Sequence, residues 1–203
     1  MRFIVFEGLD GCGKSTQVRL LAQRLDALGL AYHATRQPSD SAVGKVMRAA
    51  TDALLPLQNE TMALLVAADR YQHVYAEIAP ALAASKYVLC DRYYYSSFAF
   101  QGIDEGAFAR VGAYNAQVMA SAKPDITFFL DTAPEECMRR ITANRDYGGL
   151  YDSVAQLTAV RGRYDKIFAQ LQETERIVML DGNATETEIA AQVCGHLGLG
   201  EDK

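Results

Sequence analysis

The octapeptide Gly8-Leu9-Asp10-Gly11-Cys12-Gly13-Lys14-Ser15 constrains this chain more than any other stretch. It fits the pattern GxxxxGK[ST] in full, which arises by chance in a chain of this length on the order of once in a hundred. Its setting sharpens it. Residues 2–7 form a short apolar, β-branched run that reads as a buried strand. Residues 14–28 carry apolar side chains at helical spacing (Val18, Leu21, Leu25, Leu28) and stop at Gly29. A strand, a glycine-rich turn and a helix N-terminus make a cradle for phosphate, running here from Gly8 to Thr16. The glycines let backbone N–H groups turn inward, and the helix end adds partial positive charge. Lys14 supplies a full charge for the β- and γ-phosphates of a nucleotide, and Ser15 offers an oxygen to Mg²⁺. The competing reading is a glycine turn that merely starts a helix.

The rest of the chain alternates in the same way. Further strands are expected at 31–35, 87–91, 126–131 and 176–180. Helices are expected at 43–53, 60–84, 94–100, 105–120, 135–142, 154–171 and 186–197, with a polar loop at 144–152. Pro80 should bend or interrupt the long 60–84 helix. Strands alternating with helices predict an α/β fold built on a parallel sheet, with ligands outside the carboxyl ends of the strands. At 203 residues, the chain is expected to form one domain with a small lid at about 142–153. The formal charge is −5, from 20 Lys and Arg against 25 Asp and Glu. That balance argues against a sequence-independent binder of nucleic acid polymers but leaves open a single anionic ligand. The N-terminal apolar run is too short for a signal peptide, and no stretch approaches a membrane span. The four cysteines (Cys12, Cys90, Cys137, Cys194) are scattered, without CxxC or clustered histidines. They argue against zinc and fit reduced thiols in a cytoplasmic protein.

Several charged residues fall at expected strand ends. Val88-Leu89-Cys90-Asp91-Arg92 is an apolar strand ending in an acid, which suits Asp91 to hold a metal directly or through water. Arg92 has the planar fork to reach phosphate oxygens. Arg36, in Thr35-Arg36-Gln37-Pro38, is placed to grip an acceptor's phosphate. Arg139, Arg140 and Arg145 flank a loop with Gly148 and Gly149, a pattern suited to a flap that excludes water and neutralises a transferring phosphoryl group. A strand-end salt bridge for Asp91 and solvated roles for the arginines are the plainer alternatives.

Together these motifs resemble the thymidylate (dTMP) kinase family. Its opening FEG-x-[DE]-G-x-GKST-Q is matched by Phe6 to Gln17, and its T-R-E-P segment in three of four positions by Thr35 to Pro38. Leu65-Val66-Ala67-Ala68-Asp69-Arg70 resembles its L-F-A-A-[DN]-R helix, and Asp91 to Gly102 resembles its D-R-Y-x-x-S-x-x-A-Y-Q-G segment. Leu130-Asp131-Thr132-Ala133-Pro134-Glu135 matches L-D-x-x-P-E. The resemblance implies a P-loop kinase fold: a parallel five-stranded sheet flanked by helices on both faces, with a small lid. It implies transfer of the ATP γ-phosphoryl to dTMP with Mg²⁺, and a homodimer packed through the 60–84 region. It also implies roles. Asp10 would meet the 3′-hydroxyl, Arg36 and Arg92 the monophosphate, and Arg70 the thymine. Ser97 and Gln101 would face the base, Arg48 would line the acceptor pocket, and Arg140 would lie near the donor adenine. Some members of the family carry a catalytic arginine in the phosphate loop and others in the lid. Gly11 leaves the first place empty, so Arg145 is the candidate here and Arg139 the second choice.

The departures cluster on the acceptor side. Val66 stands where the family usually has a Phe stacked on thymine, Phe100 where it has a Tyr near the sugar, and Gln37 where it has a glutamate. Three other readings therefore stay open: a kinase for another (deoxy)nucleotide or nucleoside, a non-catalytic nucleotide-binding relative, and an ATPase or switch working without an acceptor. Turnover across a panel of acceptors, ATP binding without turnover, and acceptor-independent hydrolysis separate them.

Overall fold

A computed structural model describes residues 2–52, 54–144 and 153–200. Five strands form one sheet: β1 (Phe3–Gly8), β2 (Tyr32–Arg36), β3 (Tyr87–Asp91), β4 (Ile126–Asp131) and β5 (Ile177–Asp181). All neighbouring pairs are parallel, in the order β2-β3-β1-β4-β5. The central strands read as continuous apolar runs because both faces are covered. Every residue of β1 is buried, whereas the edge strands β2 and β5 are partly exposed.

The helices are α1 (Lys14–Ala27), α2 (Ala42–Thr51), α3 (Asn59–His73), α4 (Ala79–Ala83), α5 (Tyr94–Gln101), α6 (Glu105–Ser121), α7 (Pro134–Asn144), α8 (Val154–Leu171) and α9 (Glu186–Leu197). They flank the sheet, with α1 packed on the central strands and on α9, and α5 packed on β1 and α8. The core between sheet and α8 is aromatic: Phe129 lies 4.9 Å from Tyr164 and 5.0 Å from Phe168, ring centre to ring centre. Such pairs contribute beyond their buried area.

The strand and helix pattern expected from sequence is present, with one correction. The 60–84 segment is interrupted, as Pro80 leads one to expect, but the break lies before the proline rather than at it. A π-helical turn (Val74–Ile78) separates α3 from α4, and the Ala79 N–H donates to Val74 O. Pro80 lies in the first turn of α4, where its missing N–H is no loss. The widened turn before it accommodates the ring that a regular α-helix would drive into the preceding carbonyl. The 145–152 stretch of the expected lid lies outside the described residues.

Candidate active site

The site grows from the end of β1. Gly8 has φ 144°, and a Cβ there would meet Cys12 Sγ at 2.6 Å and Leu130 O at 2.9 Å. Only glycine lets the chain leave the strand this tightly. Gly11 (φ 78°) runs under α7, where a Cβ would lie 2.6 Å from Cys137 O. The backbone of α7 thus excludes any side chain at this point of the loop, an arginine included. Burial pushes the Cys137 thiol up to about 12, so it stays a neutral filler. Lys14 bends back over the loop. Its ammonium donates to Leu9 O at 2.7 Å and to Gly8 O at 3.1 Å. One residue on, the Ser15 hydroxyl donates to Asp91 Oδ2 at 2.6 Å, joining the start of α1 to the end of β3.

Arg92 follows immediately. It holds a left-handed backbone (φ 71°), a strained conformation for any residue other than glycine. Its N–H donates to Phe6 O at 2.9 Å. The guanidinium donates to Asp10 Oδ1 at 2.8 Å, Gly8 O at 3.0 Å and Ser96 Oγ at 3.1 Å, and lies 5.1 Å from the Phe100 ring centre. Burial works against its charge. Asp10, the Tyr164 phenol, Glu7 and Asp91 outweigh burial and raise its pKa, so Arg92 is a permanent cation.

The turn is held by a buried carboxylate on the neighbouring strand. Glu7 Oε1 accepts from Tyr93 N at 2.7 Å and Ser96 N at 3.3 Å, while Oε2 accepts from Ser96 Oγ at 2.7 Å and Tyr164 Oη at 2.8 Å. Tyr93 is the N-cap of α5 and makes no side-chain cap, so Glu7 does that work from β1.

On the side expected to take the acceptor, Arg36 ends β2 and is largely exposed. It pairs with Asp40 at 3.3 Å, and Arg48 of α2 pairs with the same carboxylate at 3.1 Å. Arg48 also donates to Pro38 O and Ser39 O at 2.8 and 2.7 Å. Arg70 is fully buried. Its Nε donates to Gln37 Oε1 at 2.9 Å, Nη1 to Ser97 Oγ at 2.7 Å and Asn115 Oδ1 at 2.6 Å, and Nη2 to Tyr93 O at 3.0 Å. Burial lowers its pKa, as expected for a cation surrounded mostly by neutral acceptors.

One cleft of about 940 Å³ collects most of these groups. Asp10, Gly11, Cys12, Gly13, Lys14, Ser15 and Thr16 line it, with Arg36, Arg48, Asp91, Arg92, Arg139 and Arg140. Arg140 is braced by Glu136 at 2.7 Å and donates to Gly182 O at 3.3 Å. Glu136 is drawn down to about 2 by hydrogen bonds from Arg139 and Arg140. Val66, Arg70, Ser97, Phe100 and Gln101 lie in the protein interior rather than on the described wall of that cleft. Val66 packs with Ala50 and Met62, and Phe100 faces a smaller hollow of about 320 Å³ beside Met62 and Ile103. Arg145 lies outside the described residues.

The thymidylate kinase family model matches residues 6–193. The chain belongs to the thymidylate kinase family. It is 36% identical to the thymidylate kinase of Nostoc punctiforme over 93% of this chain and 91% of that one. It is 37% identical to the thymidylate kinase of Exiguobacterium sibiricum, covering 95% and 92% of the two chains. To the probable thymidylate kinase of Pyrococcus horikoshii it is 37% identical, covering 87% and 86%. Within this thymidylate kinase framework, two contributions had no signal in the sequence reading: Glu7 as the cap of α5, and Asn115 as a partner of Arg70. A third was readable. Gly182, Thr185 and Glu186 also line the cleft, and they follow the carboxyl end of β5, where parallel sheets bind ligands.

Proposed function

We propose that this chain transfers the γ-phosphoryl group of ATP to a phosphate oxygen of dTMP, giving dTDP and ADP. The observation that carries this reading is one cleft lined both by Asp10–Thr16 of the cradle and by Arg36, Arg48 and Arg92. A phosphate donor site thus opens onto a second cluster of fixed cations. The attacking oxygen of a monophosphate is already anionic, so no strong general base is required. The new P–O bond forms as the bond from the γ-phosphorus to the β,γ-bridging oxygen breaks, and that oxygen leaves with ADP. Catalysis is positioning and charge stabilisation.

In this reading the backbone N–H groups of the cradle and Lys14 hold the donor phosphates, and Arg140 lies beside the adenine. Arg36 and Arg92 hold the dTMP phosphate, Asp10 meets the 3′-hydroxyl, and Arg48 lines the acceptor pocket. The resemblance assigns the thymine to Arg70, with Ser97 and Gln101 beside it and Val66 and Phe100 as apolar walls; all five are buried behind the described cleft wall, so the base must reach past it to meet them. Arg145 from a lid at 142–153 of the single domain, or Arg139 from α7 before it, completes the phosphoryl clamp. Ser15 and Asp91 are hard oxygen donors in contact with each other, which fits Mg²⁺. Among the described residues, no three His, Cys, Asp or Glu side chains cluster as a metal cage. Mg²⁺ bound there would take its remaining ligands from phosphate and water, and would supply neutralisation of the donor phosphates.

A homodimer belongs to the same reading. Leu64 and Tyr71 of α3 and Tyr75 of the π turn are exposed apolar residues on the 60–84 segment, and light scattering tests the pairing. A cytoplasmic setting is supported by the four unpaired cysteines. Among the described residues, no helix is long and apolar enough to cross a membrane.

The deciding experiment is ADP release measured over a panel of nucleoside monophosphates and nucleosides. Turnover with dTMP well above every other acceptor is expected. Preference for another acceptor, or ADP release without one, overturns the reading.

A further inference from the structure

Arg70 is held by a one-way chain of hydrogen bonds that reaches the edge of the sheet. Arginine only donates, so the 2.9 Å contact from Nε fixes Gln37 Oε1 as its acceptor. The Gln37 amide nitrogen therefore points the other way, at His73 Nδ1, 3.1 Å away. An amide nitrogen only donates, so His73 Nδ1 carries no proton. The ring's proton is then on Nε2, 2.7 Å from Thr35 Oγ1, and Thr35 in turn donates to Glu77 Oε2 at 2.9 Å. Each donor meets an acceptor in this arrangement alone. His73 is fully buried, and burial lowers its pKa, with Glu77 and Asp69 opposing that and Arg70 and His33 reinforcing it. Those groups, with Thr35 and Gln37, are the polar and charged surroundings of the ring. Glu77 Oε2 lies 3.5 Å from His73 Nε2 and 3.0 Å from His33 Nε2.

We propose that His73 is a positioning residue for the acceptor site: its neutral ring, protonated on Nε2, orients the Gln37 amide so that Gln37 Oε1 holds Arg70. This rests on Arg70 serving the acceptor base, as proposed above. The consequence is specific to this chain. A proton on Nδ1 would set N–H against the Gln37 NH₂. If the amide turned to relieve that clash, it would present NH₂ to Arg70. Either arrangement leaves two donors face to face. A carboxylate at position 37 would accept from Arg70 and from a doubly protonated His73 together. Gln37, standing where the family has glutamate, thus ties the acceptor arginine to a neutral histidine.

The test compares the parent chain with Q37E and H73N. Calorimetry gives dTMP affinity at about pH 7.5 and about pH 5, either side of the imidazole range. The dTMP phosphate titrates identically in every case, so differences between proteins report the chain. The drop on acidification should be about tenfold larger in the parent than in Q37E. It should also be smaller in H73N, where asparagine offers an acceptor that does not titrate. In kinetics the effect should fall on KM for dTMP rather than on kcat. Nitrogen-15 NMR of the parent should show the Nε2-protonated tautomer of His73, and Q37E should raise its pKa. Equal acid sensitivity in parent and Q37E, an Nδ1-protonated tautomer, or an unmoved His73 pKa in Q37E would each overturn the proposal. Failure of all three proteins to bind dTMP at either pH would sink the acceptor assignment instead, and the tautomer and the pKa shift would still decide the role of His73.

Discussion

The two ends of the cleft are built from different materials. The donor end is mostly backbone: a loop bent by glycines, a helix N-terminus, and one lysine folded over it. The proposed acceptor end is backed by side chain on side chain, with Arg70, buried behind the cleft wall, gripping Gln37, Ser97, Asn115 and a carbonyl. A backbone cradle can lose a side chain without losing its shape. A buried polar network cannot, because each member removed strands the others.

Four measurements would break or sharpen that contrast. Lys14→Ala should have the largest effect, lowering turnover by about 10³-fold. It should change folding stability by about 1 kcal/mol, since it removes hydrogen bonds to two loop carbonyls and a weak one to Cys12 Sγ. Coupled ADP release and urea denaturation check both; a normal rate would remove the phosphate-loop assignment. Arg70→Met should do the reverse. Stranding its four acceptors should cost about 3 kcal/mol of stability and weaken dTMP binding. An unchanged denaturation midpoint would show that the network contributes nothing to folding. Phe100→Tyr, which returns a hydroxyl near the expected sugar position, should lower KM for dTMP by about two- to tenfold at unchanged kcat; no change would place that ring away from the acceptor.

The smallest expected effect is the absence of one. The Glu136 carboxyl is held down to about 2 by hydrogen bonds from Arg139 and Arg140. A depressed carboxyl favours the folded pairing above its unfolded pKa and loses that contribution only as pH falls through its folded value. The brace on Arg140 should therefore persist from neutrality to well below pH 4.5, the carboxyl's ordinary value. Acidification into the imidazole range should leave the donor end alone while disturbing Gln37 and His73. Carbon-13 titration of the Glu136 carboxyl checks this, and a midpoint near 4.5 would mean that the pairing does not form in solution.

The same contrast explains what could be read from sequence. The parallel sheet, the order of strands and helices and the phosphate cradle rest on local patterns: apolar runs ended by glycine, helical spacing, and eight consecutive residues. The acceptor end rests on encounters between distant segments. Ser97 is expected to face the base from the resemblance alone; nothing local in the sequence shows that its hydroxyl accepts from Arg70. Asn115 comes from another helix altogether, and no periodicity marks it. Glu7 lies within the family's opening motif, but its task as the cap of α5 exists only once β1 and β3 are side by side. The π turn was hidden for another reason: its composition is ordinarily helical, and only the proline after it hinted at an interruption.

The position of β1 has a consequence for how the chain is made. The first strand in the sequence is the middle one in the sheet, with Phe3 paired to Val88 and Ile4 to Ile126. During synthesis the run Phe3-Ile4-Val5-Phe6 must wait, unpaired and adhesive, until both partners have left the ribosome. Non-local pairings of this kind fold slowly and leave growing chains open to aggregation. The nucleotide cradle hangs from that strand, so ATP can find no binding frame on a nascent chain that still lacks its fourth strand.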